Sequence, residues 1–144
     1  MDTKKVLRYT MLTLAGIMML AIFLFSAQTA AVSRELSAFF TERVFGALGF
    51  TEHFVRKAAH FFEFALLGSL IMIFLSTFDI KRILCALISV FGSAVYAAFD
   101  EFHQTFVSGR SGQISDVLLD TCGALFGVAL VCLILHLKSK KKRS

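Results

Sequence analysis

From Tyr9 to Ser33 the chain carries no charged residue. A helix needs about 20 apolar residues to cross a hydrocarbon core about 30 Å thick, so this run alone is long enough. Three more apolar stretches follow, at about Ala58–Phe78, Ile83–Phe99 and Val117–Leu137. In hydrocarbon every backbone N–H and C=O must find its partner within the protein, which an α-helix achieves segment by segment. The predicted architecture is therefore all-α: an integral membrane four-helix bundle, with spans at about 9–28, 58–78, 83–102 and 117–137. It forms one domain, residues 1–137, followed by a basic tail, 138–144. Composition agrees, with 57% hydrophobic and 17% charged residues, against roughly 45–50% and 25% for a soluble domain. There is no proline to kink a helix interior. There is no tryptophan either, so Phe, Tyr9 and Tyr96 must supply any aromatic belt.

The basic start, the first apolar run and the small residues at Ser26–Ala31 also fit a secretory signal peptide. A retained first helix is favoured because the later charges fit four spans. Between the first two spans, residues 34–57 read as a loop. Within it Leu36, Phe39, Phe40, Arg43 and Val44 recur at helical spacing, followed by Ala47 and Leu48. This pattern predicts an amphipathic helix in the outer membrane interface, ended or bent by Gly46 and Gly49. Cys85, Cys122 and Cys132 all fall in apolar segments. Cys122 and Cys132 would lie about 15 Å apart on one helix, too far for a disulfide, and all three are expected as small buried apolar residues.

Orientation follows from the basic residues. Ten Lys and Arg fall at the N-terminus (Lys4, Lys5, Arg8), the short turn between spans two and three (Lys81, Arg82) and the tail (Lys138, Lys140, Lys141, Lys142, Arg143). Five fall on the other side: Arg34, Arg43, Arg56, Lys57 and Arg110. The positive-inside rule predicts both termini in the cytoplasm. The net charge of +5 thus sits at span ends, not on one basic face, which argues against nucleic-acid binding. The basic tail is suited to anionic lipid headgroups, so membrane lipids are expected partners.

The residues from Asp100 to Asp120, DEFHQTFVSGRSGQISDVLLD, make a polar island between two apolar spans. With the predicted topology, Gln28 ends the first span on the outer side, and Arg56, Lys57, His60 and Glu63 begin the second. Asp100, Glu101, His103 and Gln104 end the third, Arg110 lies in the following loop, and Asp116 and Asp120 begin the fourth. Arg56, His60 and Glu63 share one helical stripe, Asp100, His103 and Gln104 a second, and Asp116, Asp120, Gly123 and Gly127 a third. Ionisable groups in a membrane are costly and face one another, so an outward-facing polar pocket between helices is predicted. A purely structural ion-pair network, with Arg56 or Arg110 neutralising Asp116 or Asp120, would need the same placement. The loop SGRSGQIS reads as a flexible connection, and His53 and His136 as ordinary interfacial residues. No zinc motif, phosphate loop, nucleophile elbow or cofactor fingerprint is present, and no metal or cofactor is expected.

Three segments carry a resemblance. FSAQ at 25–28, RKAAHFFEFALLGSL at 56–70 and YAAFDEFHQTFVSGRSGQISDVLLDTCGALFG at 96–127 resemble, in order, the motifs of the VanZ-like membrane protein family. The resemblance falls on Lys57, His60, Phe61 and Gly68, and then on Asp100, Glu101, Gln104, Arg110, Asp116, Asp120 and Gly123. Phe64 stands where members often have Tyr, Asp120 where many have Asn, and the proline that many carry near the arginine is absent. The resemblance implies a multi-pass protein of the bacterial plasma membrane. The family's namesake is associated with resistance to teicoplanin more than to vancomycin, and teicoplanin is the lipid-tailed drug. The expected function is lowered susceptibility to lipidated glycopeptides, through a polar outer-leaflet pocket that binds a lipid-linked or cell-wall component, or the glycopeptide itself. The binding candidates are Gln28, Arg56, Lys57, His60, Glu63, Asp100, Glu101, Gln104, Arg110, Asp116 and Asp120. A non-enzymatic role is favoured. The alternative is a membrane enzyme acting by acid–base chemistry on a lipid or wall precursor. A small transporter fits poorly, because no inverted repeat is visible.

Overall fold

The computed structural model describes residues 2–28, 30–40, 42–43 and 51–141. Its helices are α1 (Thr3–Ser26), α2 (Ala30–Phe40), α3 (Glu52–Leu75), α4 (Arg82–Gln104) and α5 (Ile114–Lys141). All except α2 are long and apolar enough to cross a membrane. They pack as a four-helix bundle, and no strand occurs among the described residues.

The helix ends explain where the observed elements depart from the hydropathy runs. Asp2 caps α1, its Oδ1 accepting from Lys4 N at 3.1 Å, so the helix starts ahead of the uncharged run. The 24 residues of α1 already extend about 36 Å, more than a hydrocarbon core needs. The run of apolar residues continues to Ser33, but the helix does not. Ala27 closes α1 with its N–H on Phe23 O, and α2 starts at Ala30. Thr51 caps α3 through Oγ1 and Phe54 N, at 3.3 Å. That cap places Arg56 and Lys57 on the helix and not in the expected loop. The expected interfacial helix corresponds in part to α2, which packs on α3. Val44, Gly46, Ala47, Leu48 and Gly49 lie outside the described residues.

The bundle is apolar outside as well as inside. Ile17, Phe62, Leu87, Phe91, Leu118 and Phe126 all stand exposed on its outer face. A soluble bundle would turn charge outward there, whereas lipid accepts these side chains. Between the helices lie Ile22, Phe64, Leu67, Met72, Ala97 and Val128. The most extensive contact is between α3 and α5. It is built on small residues: a Cβ on Gly123 would collide with the Phe61 carbonyl, and one on Gly127 with that of Ala65. Gly68 meets Ala124 in the same way, its added Cβ 2.8 Å from the carbonyl oxygen. Such seams let backbones approach closely and gain dispersion contact, the main attraction between helices in lipid. Some hydroxyls within the spans return to their own helix, as when Ser89 Oγ donates to Cys85 O at 2.7 Å and Thr121 Oγ1 to Val117 O at 2.7 Å, whereas Tyr96 on α4 donates across to Met19 O on α1 at 2.6 Å. The cysteines are free, as expected, but only Cys85 is buried; Cys132 is half-buried and Cys122 faces outward. Helix 5 turns Cys122 away from the glycine seam that its neighbour Gly123 makes.

Candidate functional site

The C-terminal ends of α1 and α4 and the N-terminal ends of α3 and α5 meet at one end of the bundle. Two helices begin there and two end there, so their macrodipoles largely offset. The electrostatics of this end are therefore set by side chains.

Asp100 is almost fully enclosed, 1% exposed. Its Oδ2 accepts from Ser26 Oγ at 2.7 Å and from Gln104 Nε2 at 2.9 Å. Gln104 in turn uses Oε1 to accept from Arg110 Nη1, at 3.0 Å. A chain of hydrogen bonds thus runs from the end of α1, through α4, to the loop before α5. The loop turns at Gly109, whose φ of 76° only glycine adopts without strain. Arg110 N donates to Val107 O at 3.1 Å, closing that turn. Glu101, next to Asp100 on α4, accepts from Gln113 N at 2.8 Å. It thereby holds the far end of the loop, immediately before α5. Together Gln104 and Glu101 fix both sides of the α4–α5 connection, which sequence composition alone presents as a flexible segment.

A second link joins α3 to α5. Lys57 Nζ lies 2.5 Å from Asp116 Oδ1, with both side chains about three-quarters buried. Charge neutralisation of Asp116 therefore comes from Lys57, not from Arg56 or Arg110 as in the structural ion-pair alternative. Arg56 is turned to His53, with Nη2 3.1 Å from Nδ1. His60 Nδ1 stands 3.7 Å from Glu63 Oε2 on the same face of α3. Among the side chains that the structure describes, no carboxylate lies within 4.0 Å of either Arg56 or Arg110. Burial lowers the pKa of Arg110 from the usual arginine value, and the neighbouring Arg56 charge lowers it further. Asp100 and Glu101 act in the opposite direction.

These groups enclose a cavity of about 390 Å³. Of the sequence-derived candidates, Arg56, Lys57, His60, Glu101, Gln104, Arg110, Asp116 and Asp120 line it. Asp100 lies behind this wall, bonded to Ser26 and Gln104. Gln28 and Glu63 instead line a smaller cavity of about 180 Å³, between α1, α2 and α3. Asp120 is 1% exposed, and its Oδ1 has no hydrogen-bond partner among the described residues. The cavity thus holds three cationic side chains, three carboxylates and the His53 and His60 rings. That mixture suits a polar ligand able both to accept from guanidinium and to donate to carboxylate.

Three contributors were not among the candidates. Ser26 was legible in the FSAQ segment, but Gln28 was the polar residue chosen; the helix ends at Ser26, and it is Ser26 that meets Asp100. His53, expected as an ordinary interfacial residue, lines the cavity. Its signal is the helical spacing to Arg56 and Lys57, hidden while that segment was read as a loop. Gln113 contributes its backbone N–H, which no residue pattern advertises. His103, by contrast, turns from the cavity and stacks on Phe23, centroids 4.4 Å apart.

No curated protein and no solved structure matches the chain. The sequence model of the VanZ/LLP1 family matches residues 11–135, from within α1 to near the end of α5. That range includes every element that forms the polar end, and the chain, a membrane protein of the VanZ type, belongs to the VanZ/LLP1 family.

Proposed function

We propose that the 390 Å³ cavity is a binding pocket for a lipid-linked or cell-wall component at the outer leaflet, and that its occupation lowers susceptibility to the lipid-tailed glycopeptide teicoplanin. The observation that carries this reading is the cavity itself. A membrane bundle holds open a polar space at one end, and its walls are braced by Asp100–Ser26–Gln104, Glu101–Gln113 and Lys57–Asp116. Bracing alone does not require a space in which two guanidinium groups find no carboxylate partner among the described side chains. The distribution of basic residues, ten at the end with both termini and five at the pocket end, supports an outward-facing pocket in a bacterial plasma membrane with cytoplasmic termini.

The test is a susceptibility panel in cells carrying no copy, the wild-type chain or Arg110→Gln. Wild type should raise tolerance of teicoplanin more than of vancomycin, and Arg110→Gln, inserted at equal level, should lose that difference. An equal response to the two drugs overturns the link to the lipid tail. A second reading, acid–base catalysis on a lipid or wall precursor, draws on Asp120, whose Oδ1 is unpartnered in the cavity wall. It requires that lipid and precursor extracts change when the chain is expressed and revert with Asp120→Asn.

A further inference from the structure

The two cavities share a wall. Arg56, His60 and Arg110 line both the polar cavity and the smaller one. The smaller one has a different character, with Phe25, Leu36, Val55 and Ala59 contributing apolar surface. Phe25 and Leu36 are themselves about half exposed, so this second cavity borders the outer, apolar face of the bundle. A path therefore leads from charged groups, past two arginines and a histidine, to the surface that meets lipid.

The arginines mark the junction. Among the described side chains, Arg56 bonds to the His53 ring and Arg110 to the neutral Gln104 amide. Two guanidinium groups that line the same two cavities, both partly withdrawn from water, repel each other. An anion placed between them removes the repulsion and satisfies donors on both. A phosphate monoester carries about −1.5 to −2 charges and three acceptor oxygens, which matches two guanidiniums. A carboxylate, with one charge, leaves one unmatched.

We propose that the two cavities hold one amphiphile, a phosphate-bearing head group between Arg56 and Arg110 whose hydrocarbon chain leaves through the second cavity, between α1, α2 and α3, into the surrounding lipid. The proposal rests on the pocket reading above and adds the ligand's chemical class and its route of entry. Lateral entry suits the site, because a ligand already in the leaflet need not desolvate its chain to bind.

The test uses the full chain, immobilised in a maltoside detergent that contains no phosphate. Retention of inorganic phosphate, dodecyl phosphate and dodecanoate is compared for wild type, Arg56→Gln, Arg110→Gln and Ala59→Phe. Every protein meets the same micelles, so differences between proteins report the site. Wild type should hold dodecyl phosphate at least tenfold more tightly than either inorganic phosphate or dodecanoate. Each arginine variant should weaken both phosphate ligands about tenfold, the worth of a charge-assisted hydrogen bond. Ala59→Phe fills the apolar cavity from an exposed position on α3. It should abolish the preference for the dodecyl chain and leave inorganic phosphate unchanged. Phosphate binding that depends on Arg110 but ignores chain length overturns the amphiphile and leaves the polar pocket standing. Equal binding of dodecanoate overturns the match to phosphate. If none of the probes binds while Arg110→Gln still changes drug susceptibility, this inference alone falls. If susceptibility is also unchanged, the pocket reading falls with it.

Discussion

The two ends of the bundle use arginine in opposite ways. At the end where the chain starts, Arg8 on α1 reaches the α3–α4 turn. Its Nε donates to Thr77 Oγ1 and its Nη2 to Thr77 O, both at 3.1 Å, and its guanidinium lies 3.8 Å from the Phe78 ring centroid. Two hydrogen bonds and a ring contact hold that cation to the protein, and the result is a corner tying α1 to the α3–α4 turn. At the opposite end, Arg56 and Arg110 face a cavity, and among the described side chains they bond to a histidine and an amide. The carboxylates there are held by other groups, Asp100 by Ser26 and Gln104, Glu101 by a backbone N–H, Asp116 by Lys57. Charge at one end ties two helices together, and charge at the other is kept available. The contrast bears on the proposed pocket, where no described carboxylate side chain pairs directly with either arginine.

The sharpest way to break the comparison is to disturb what lies between the ends. Gly127→Leu would drive a side chain into the Ala65 carbonyl and Ser69 Oγ, separating α3 from α5 and with them both walls of the cavity. Overpacking of this kind costs about 1–3 kcal/mol or more. Thermal unfolding in detergent should fall by the largest margin of any single change, and the cavity-dependent phenotype should go with it. Asp100→Ala removes the acceptor shared by Ser26 and Gln104 and leaves them their mutual contact, Gln104 Nε2 to Ser26 Oγ at 3.5 Å, at a cost of about 1–3 kcal/mol. It should loosen the α1–α4 contact at the pocket end while leaving the Arg8 corner intact. Cysteine crosslinking at the two ends would read that difference.

Arg8→Ala should cost about 1 kcal/mol, from two hydrogen bonds and a cation–π contact that solvent partly replaces. Its stability loss should leave the response to teicoplanin unchanged at equal protein level. A changed response would mean that the two ends are coupled and that the division between them fails. Lys57→Ala removes a pair that is only about three-quarters buried, so a loss of about 1 kcal/mol or less is expected, shrinking further at high salt. Smallest of all is Gly92→Ala. An added Cβ there meets nothing within 4 Å, and alanine is the better helix former. Stability should rise by about 0.5–1 kcal/mol, in contrast to any substitution on the Gly123–Gly127 seam.

Much of the site was legible because membrane helices make charge expensive. A histidine and carboxylates near the ends of spans have few places to go, and helical spacing brings His60, Asp100, Glu101 and Asp120 toward the same end. What spacing could not tell is which cation meets which carboxylate. Arg56 and Lys57 are adjacent in sequence and point about 100° apart on a helix, so a small rotation of α3 decides which of them reaches α5. The packing of Gly123 and Gly127 against α3 sets that rotation, and it presents Lys57 to Asp116. The reading of residues 34–57 as a loop failed at its end for a local reason. Thr51 caps a helix whose first turn is polar, and hydropathy sees only the apolar part that follows. The misreading hid His53, whose place in the cavity depends on that first turn.

The amino-acid sequence by itself determined that this chain is a bundle of membrane-crossing helices, since four long apolar runs can satisfy their backbone groups only as helices. It also determined that the histidine and carboxylates within the span ends gather at the end away from the termini, because hydrocarbon excludes them from the middle. Only the tertiary structure decided that the gathered charges leave a cavity instead of cancelling, and that a second, apolar cavity adjoins it behind Arg56, His60 and Arg110. Those outcomes depend on helix rotation and on a backbone N–H at Gln113, quantities of a few ångströms that are fixed by packing between segments far apart in the chain.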